Sequence, residues 1–130
     1  MNNLTIAGTS SSPSIQADWQ EGRLSMQGDS YPENSFELFQ PVIAWVNDFL
    51  TQETRPLRLE FELLYLNTSS IRVLMDILDM AEEYYRQGRA VSLAWRYDAG
   101  NERVAELAAE FKEDCSFPFA ITAKAVAKTS

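Results

Sequence analysis

Four small hydrogen-bonding side chains in a row, Asn67 to Ser70 in the segment YLNTSS, are the first candidates for chemistry in this sequence. They separate an apolar, strand-like run from the helix-like segment IRVLMDILDMAEEYY. Asn, Ser and Thr are common helix caps, because their side-chain oxygens accept hydrogen bonds from free backbone N–H groups. A single cap needs one such side chain, so the run leaves hydroxyl groups over for a second role.

The predicted position of this segment suits a phosphoryl group. It lies at the carboxyl end of the predicted central strand, an edge of α/β sheets where ligands bind. The amino end of a helix also presents free N–H groups and a partial positive charge, which stabilise an anion. A phosphate on Thr68 could accept from the next N–H groups, and Arg72 could reach it if its side chain bends back. Capping alone also accounts for these residue types, so the pattern leaves both hypotheses open.

The composition argues against catalysis. The chain of 130 residues contains no histidine and one cysteine, Cys115. Without histidine, Ser-His-Asp and Cys-His pairs are excluded, and most zinc and non-haem iron sites lack their usual ligands. The carboxylates of Asp76, Asp79, Glu82 and Glu83 match no known cation-binding loop. We therefore expect a protein that is not an enzyme and that needs no metal or other cofactor.

Charge and hydropathy limit the partners. The formal net charge of −8 at pH 7 disfavours nucleic acid and anionic membranes, because both attract basic surfaces. No apolar run approaches the roughly 18 residues that cross a bilayer, and MNNLTIAGTS lacks the pattern of a secretory signal. We expect a cytoplasmic protein without membrane insertion. Its length predicts one domain over residues 1–130.

Hydrophobic periodicity predicts alternating strands and helices. Alternation predicts short strands in LTIAGT, SIQADW and RLSMQ, with a hairpin turn at Gly22. Spacings of three and four predict a first helix after an Asn34 cap, which Pro41 should kink or restart. The remaining predicted elements are strands in PLRLEFELLYLN and AVSLAWRY, helices from about Ser70 to a stop at Gly88 and from about Asn101 to Lys112, and an edge strand in FPFAITAKAVAKTS with a frayed tail.

The apolar faces of these elements predict the fold class. The first helix should bury Phe36, Phe39, Ile43, Val46 and Leu50, and the long strand should bury Leu57, Leu59, Phe61, Leu63 and Tyr65. The opposite strand face, with Arg58, Glu60 and Glu62, is typical of a solvated surface, and a docking face for a basic partner is the alternative. Because each strand is apolar on one side, three helices should cover that side of the sheet. We predict an α/β two-layer sandwich with a mixed sheet, antiparallel at its start and then parallel through right-handed crossovers.

Two long segments resemble a known family. GDSYPENSFELFQPVIAWVNDFL and LEFELLYLNTSSIRVLMDIL, together with AWRYD and the later PF, are similar to the SiaC family of bacterial regulatory phosphoproteins. The similarity covers nearly the whole chain. It implies a fold like that of the STAS-class anti-sigma-factor antagonists, in which a strand leads into a helix through a phosphorylatable Ser or Thr. By position, Thr68 matches that acceptor, and Ser69 is its nearest competitor.

The resemblance also implies partners and a role. The family implies a cognate Ser/Thr protein kinase, a PP2C-type phosphatase, and a diguanylate cyclase that the unphosphorylated form binds and activates in c-di-GMP signalling and biofilm regulation. We therefore expect a switch phosphorylated at Thr68, with partner contacts near Asn67, Ser69, Ser70 and Arg72. The alternative is a STAS-like module that senses a small molecule or nucleotide at the same helix end.

Overall fold

Six strands form one sheet in the order in which they occur along the chain. A computed structural model describes residues 3–124. The strands are β1 (Leu4–Ile6), β2 (Ser14–Asp18), β3 (Arg23–Ser30), β4 (Leu57–Leu66), β5 (Val91–Asp98) and β6 (Phe119–Lys124). The first three pair antiparallel, and the pairs from β3 to β6 are parallel. The helices α1 (Ser35–Gln52), α2 (Thr68–Arg86) and α3 (Glu102–Glu113) link the parallel strands. The predicted mixed sheet is confirmed.

The sheet buries one face only. Four β4 side chains are at most 2% exposed: Leu57, Leu59, Phe61 and Leu63. Arg58, which points to the other face, is exposed. On the buried face, Trp95 of β5 meets the Phe61 ring edge-on and stacks on Phe111 of α3, each at 5.7 Å between ring centroids. The helices therefore cover the apolar face, as expected for a two-layer sandwich.

The helix ends show how the sequence sets the boundaries. Asn34 caps α1, and its Oδ1 accepts from the backbone N–H of Glu37 at 3.1 Å. The helix does not restart at Pro41 but runs through it, because the missing N–H removes only one intrahelical bond. α2 begins at Thr68, about two residues earlier than predicted, since Asn67 is its cap. It ends as predicted, with Gly88 at φ +107° just beyond it.

Two aromatic residues predicted in the core are on the surface. The buried stripe of α1 starts at Ser35 instead of Phe36, so the neighbouring Phe36 points outward and is 50% exposed. In β4 the pairing with β3 shifts at Gly28/Asp29, and one extra residue, Leu64, reverses the alternation. Tyr65 is therefore 53% exposed and Leu66 is buried. The predictions for Phe36 and Tyr65 were wrong for these local reasons.

Other predictions of local structure can be compared directly. Gly22 has φ +64° in the β2–β3 turn, as expected for this hairpin. Trp45, which lies off the predicted stripe of α1, is in the core. β6 is an edge strand, and the frayed tail predicted after it lies outside the described residues. Within residues 3–124, no helix combines the length and apolar character needed to cross a bilayer.

A buried carboxylate fastens the loop between α3 and β6 to α2. Glu82 is 7% exposed, and its Oε1 accepts from the backbone N–H of Ser116 at 2.7 Å. Its Oε2 accepts from Nε of Arg86 at 2.8 Å. Burial acts to raise the pKa of Glu82, but the hydrogen bonds from Ser116 and the ion pair with Arg86 outweigh it and leave the pKa below its ordinary value. The ionised form therefore stabilises the fold.

We predict that Glu82→Gln lowers the free energy of unfolding by about 1–3 kcal/mol at pH 7, since it weakens charge-assisted hydrogen bonds. Because the folded pKa of Glu82 is lowered, the wild-type advantage is fully present above the ordinary carboxyl pKa and is lost as pH falls through the folded pKa. Urea denaturation between pH 7 and pH 3 measures this, with the exposed neighbour in Glu83→Gln as the control. A difference between wild type and Glu82→Gln that persists unchanged at low pH would contradict the prediction.

Candidate functional site

The four residues of the NTSS segment take four different positions. Asn67 caps α2, and its Oδ1 accepts from the backbone N–H of Ser70 at 2.9 Å. Thr68 is the first helical residue, is exposed, and makes no side-chain hydrogen bond within the described residues. Ser69 is half-buried and Ser70 is 1% exposed. Of the three hydroxyl groups, only that of Thr68 is both exposed and unbonded.

A chain of hydroxyl contacts lies directly behind Thr68. It runs from Ser30 at the end of β3 to Ser70 (Oγ to Oγ 2.7 Å), then to Ser35 at the start of α1 (3.1 Å) and on to Ser69 (2.8 Å). The Ser69 hydroxyl donates to Oδ1 of Asn67 at 3.3 Å. We call these four serines and Asn67 the hydroxyl chain. It holds the amino ends of α1 and α2 and the end of β3 against one another.

The most exposed large apolar side chains of the described residues lie on segments that adjoin the β4–α2 turn: the loop after β3, the start of α1, the end of β4 and the exposed side of α2. We call them the apolar patch: Tyr31, Phe36, Leu64, Tyr65 and Met75. The rings of Tyr31 and Tyr65 meet edge-on at 5.8 Å between centroids. Phe36 follows Ser35, which contacts Ser69, and Met75 shares a groove with Thr68. Exposed apolar side chains that group together are expected at binding surfaces, so the apolar patch is a candidate docking surface.

Sequence reasoning missed most of this patch. Phe36 and Tyr65 carry the hydrophobicity of core residues, and nothing in the alternation of β4 signals the extra residue at Leu64. The sequence holds one weak signal for the exposure of Phe36. Ser35, at the first position of α1, is small enough to be buried, so the buried stripe of the helix can begin at Ser35 and leave Phe36 outside it. Tyr31 lies in the segment predicted to be a loop.

The surface beside Thr68 is acidic. A groove of about 420 Å³ along α2 is lined by Thr68, Ile71, Arg72, Met75, Asp76 and Asp79. Arg72 is exposed there, one turn beyond Thr68, and is its only basic residue. Burial and the neighbouring carboxylates of Asp76, Asp114 and Glu82 raise the pKa of Asp79. A phosphate on Thr68 would add a charge of about −1.5 to −2 to a groove in which Arg72 is balanced by Asp76 and Asp79.

Other candidate chemistry is weaker. Among the residues that the structure describes, no three His, Cys, Asp or Glu side chains are grouped as metal ligands. Burial, with help from nearby acids, raises the pKa of Cys115 to about 11, so its thiol stays protonated and unreactive at neutral pH. On the open sheet face, Glu62 pairs with Lys124 and lies 3.8 Å from Arg96, which offsets the charge expected to attract a basic partner.

The fold and this site define a small α/β protein whose distinctive feature is a strand-to-helix turn with one free hydroxyl group beside an apolar patch. The model of the SiaC family regulatory phosphoproteins matches residues 6–124, and the chain belongs to this family. The family resemblance inferred from the sequence is thereby confirmed. The chain is also 68% identical, over 95% of its length and 98% of the relative, to an uncharacterized protein of Pseudomonas aeruginosa strain UCBPP-PA14.

Solved structures of Pseudomonas aeruginosa proteins are similar over nearly the whole chain. SiaC is 65% identical with a TM-score of 0.89, and the match covers 96% of this chain and 99% of SiaC. A chain in the crystal structure of the diguanylate cyclase SiaD in complex with its activator SiaC is 68% identical with a TM-score of 0.91. That match covers 93% of this chain and 99% of the other.

We predict that Asn67→Ala destabilises the protein by about 2 kcal/mol or more, because it removes the cap of α2 and the acceptor of the Ser69 hydroxyl together. Asn101→Ala is the matched control, since Asn101 caps α3 through one bond of 3.3 Å to the N–H of Val104. That substitution should cost only about 1 kcal/mol. Urea denaturation followed by far-UV circular dichroism compares the two. Equal losses would show that Asn67 is no more than a cap.

Proposed function

We propose that this protein is a phospho-switch that binds and activates a diguanylate cyclase while Thr68 is unmodified. A Ser/Thr protein kinase would phosphorylate Thr68 and release the cyclase, and a PP2C-type phosphatase would reverse the change. The observation that carries the proposal is the exposed, unbonded hydroxyl group of Thr68 beside the apolar patch. The related SiaC is an activator found in complex with the diguanylate cyclase SiaD, which supports the choice of partner. In this proposal the chain itself catalyses nothing.

The apolar patch explains why partner binding would be sensitive to phosphorylation of Thr68. A partner that covers Tyr65 and Phe36, each half exposed, would remove apolar surface from water and also enclose Thr68. A phosphothreonine carries a charge of about −1.5 to −2, and its burial without a compensating cation is costly. A 1,000-fold loss of affinity requires only about 4 kcal/mol. Desolvation of the phosphate at a closed interface would therefore suffice without refolding.

The fold should tolerate the phosphate in the free protein. Thr68 is the first residue of α2, where backbone N–H groups have no intrahelical acceptor and a negative charge is stabilised. The phosphoryl oxygens can accept from these groups while they face solvent. Phosphorylation would therefore change the surface that the partner meets and leave the core as it is.

The neighbouring residues divide into two roles under this proposal. Thr68 and Arg72 are exposed, so they can touch a partner directly. Ser70 is buried and Asn67 and Ser69 are half-buried, so these three mainly position the turn. A cytoplasmic location belongs to this proposal, because the proposed kinase and cyclase would both use nucleoside triphosphates.

We predict that phosphorylation of Thr68 weakens binding to purified Pseudomonas aeruginosa SiaD by about 1,000-fold, which corresponds to about 4 kcal/mol. Isothermal titration calorimetry of the unmodified and the enzymatically phosphorylated chain measures this, with intact mass confirming one phosphoryl group. Thr68→Ala should bind SiaD and resist phosphorylation. Modification of Thr68→Ala to the wild-type extent would refute the assignment of the site, and equal affinities of both forms would refute the switch.

We predict that Tyr65→Ala weakens SiaD binding by about tenfold or more, since an exposed aromatic anchor is removed from the interface. The variant should keep its stability, because Tyr65 is 53% exposed. Glu60→Ala, five residues earlier on the same strand and farther from Thr68, is the control and should bind like wild type. The opposite ranking would move the docking surface to the middle of the strand, where Arg58, Glu60 and Glu62 form the alternative docking face.

A further inference from the structure

The number of hydroxyl protons in the hydroxyl chain determines which serine donates and which accepts in each contact. Each serine hydroxyl group has one proton to donate and two lone pairs with which to accept. Four contacts connect the chain: Ser30 with Ser70, Ser70 with Ser35, Ser35 with Ser69, and Ser69 with Oδ1 of Asn67. The four serines supply four hydroxyl protons, so each of the four contacts uses one of them.

Only one assignment of donors satisfies all four contacts at once. Oδ1 of Asn67 has no proton, so Ser69 must donate to it, and Ser35 must then donate to Ser69. With its proton used, Ser35 can only accept from Ser70. Ser70 in turn accepts from Ser30. The chain therefore runs one way, from Ser30 to the cap of α2.

The orientation of the Asn67 amide agrees with this direction. Its Nδ2 donates to the backbone carbonyl of Pro32 at 3.3 Å, which leaves Oδ1 facing the first turn of α2. That oxygen also accepts from the backbone N–H of Ser70 at 2.9 Å. Both the donor and the acceptor of the Asn67 amide are thus hydrogen-bonded. The orientation of the amide therefore makes Oδ1 the acceptor of the Ser69 hydroxyl proton.

We propose that this one-way hydroxyl chain selects Thr68 as the phosphate acceptor by withdrawing the adjacent Ser69 from reaction, with Ser35 as the positioning residue. The inference rests on the proposed function and adds a specificity determinant within the substrate itself. Two hydroxyl groups stand side by side in the sequence, and the fold leaves only one of them free. Ser70, 1% exposed, is excluded by burial alone.

The chemistry of phosphoryl transfer explains why a held hydroxyl group is a poor acceptor. The acceptor oxygen forms a bond to the γ-phosphorus of ATP, the bond from that phosphorus to the ADP oxygen breaks, and the hydroxyl proton passes to a carboxylate of the kinase. In Ser69 the proton is held by Asn67, and a lone pair receives the proton of Ser35. In Thr68 both are free to face the kinase.

The test measures where phosphate is placed when Thr68 is absent. The kinase that modifies the wild-type chain is applied to Thr68→Ala, to Thr68→Ala/Ser35→Ala and to Thr68→Ala/Ser30→Ala, and the sites are mapped by tandem mass spectrometry. Ser30 is the matched control, because it is as buried as Ser35 but lies at the far end of the chain. Its loss leaves the donation from Ser35 to Ser69 intact.

We expect little phosphate on Ser69 in Thr68→Ala and in the Ser30 variant, and about five- to tenfold more in the Ser35 variant. This factor is that expected for the loss of one hydrogen bond. Thermal melts check that each variant is folded. Should Ser35→Ala fail to fold, Ser35→Cys fills the same buried position with a weak donor and should give the same shift in site.

The remaining outcomes would overturn the inference. Equal modification of Ser69 in all three variants would show that the chain protects nothing. Absence of phosphate on Ser69 in every folded variant would place the selection in the kinase instead. A wild-type chain that carries no phosphate on Thr68 would remove the proposed function, and this inference would fail with it.

Discussion

The side chain and backbone of Asn67 join the start of α2 to the end of β3 and the loop that follows it, about 35 positions earlier in the chain. Its Oδ1 caps α2, its Nδ2 holds the carbonyl of Pro32, and its backbone N–H donates to the carbonyl of Ser30 at 2.9 Å. Polar groups buried at such a junction are stabilising only when all of them are bonded. The position of Thr68, next in the chain, depends on this junction, and so does the contact between the amino ends of α1 and α2.

The same edge of the molecule inverts the usual distribution of residues. Ser35 and Ser70 point into the protein at 1% exposure, while Phe36 and Tyr65 are half exposed. Each inversion has a local cause, a shifted helix stripe in one case and an extra strand residue in the other. Departures from the pattern of apolar inside and polar outside are expected where a protein binds something. Here they bury serine hydroxyl groups beneath the β4–α2 turn and expose aromatic rings on the neighbouring surface.

Much of the fold was predictable from the sequence, because the strands and helices have clear periods of two and about three and a half. The order of elements, the mixed sheet, the stop at Gly88 and the one-sided core all followed from these patterns. The outward turn of Tyr65 was not predictable, since an extra residue changes which face a side chain takes without changing the composition.

The candidate site was predictable only in part. The sequence indicated a capped helix and a surplus of hydroxyl groups, and the family resemblance pointed to Thr68. The residue types alone could not separate Thr68 from Ser69, because both are hydroxyl-bearing residues in the first turn of the same helix. What separates them is the contact of Ser69 with Ser35, which lies 34 positions earlier and reaches Ser69 only in the folded chain.

The strand order, which follows the chain from β1 to β6, also bears on biosynthesis. Each strand can dock on an edge that is already complete, so the sheet can grow as the polypeptide leaves the ribosome. The turn that carries Thr68 can therefore close before β5 and β6 have emerged from the ribosome.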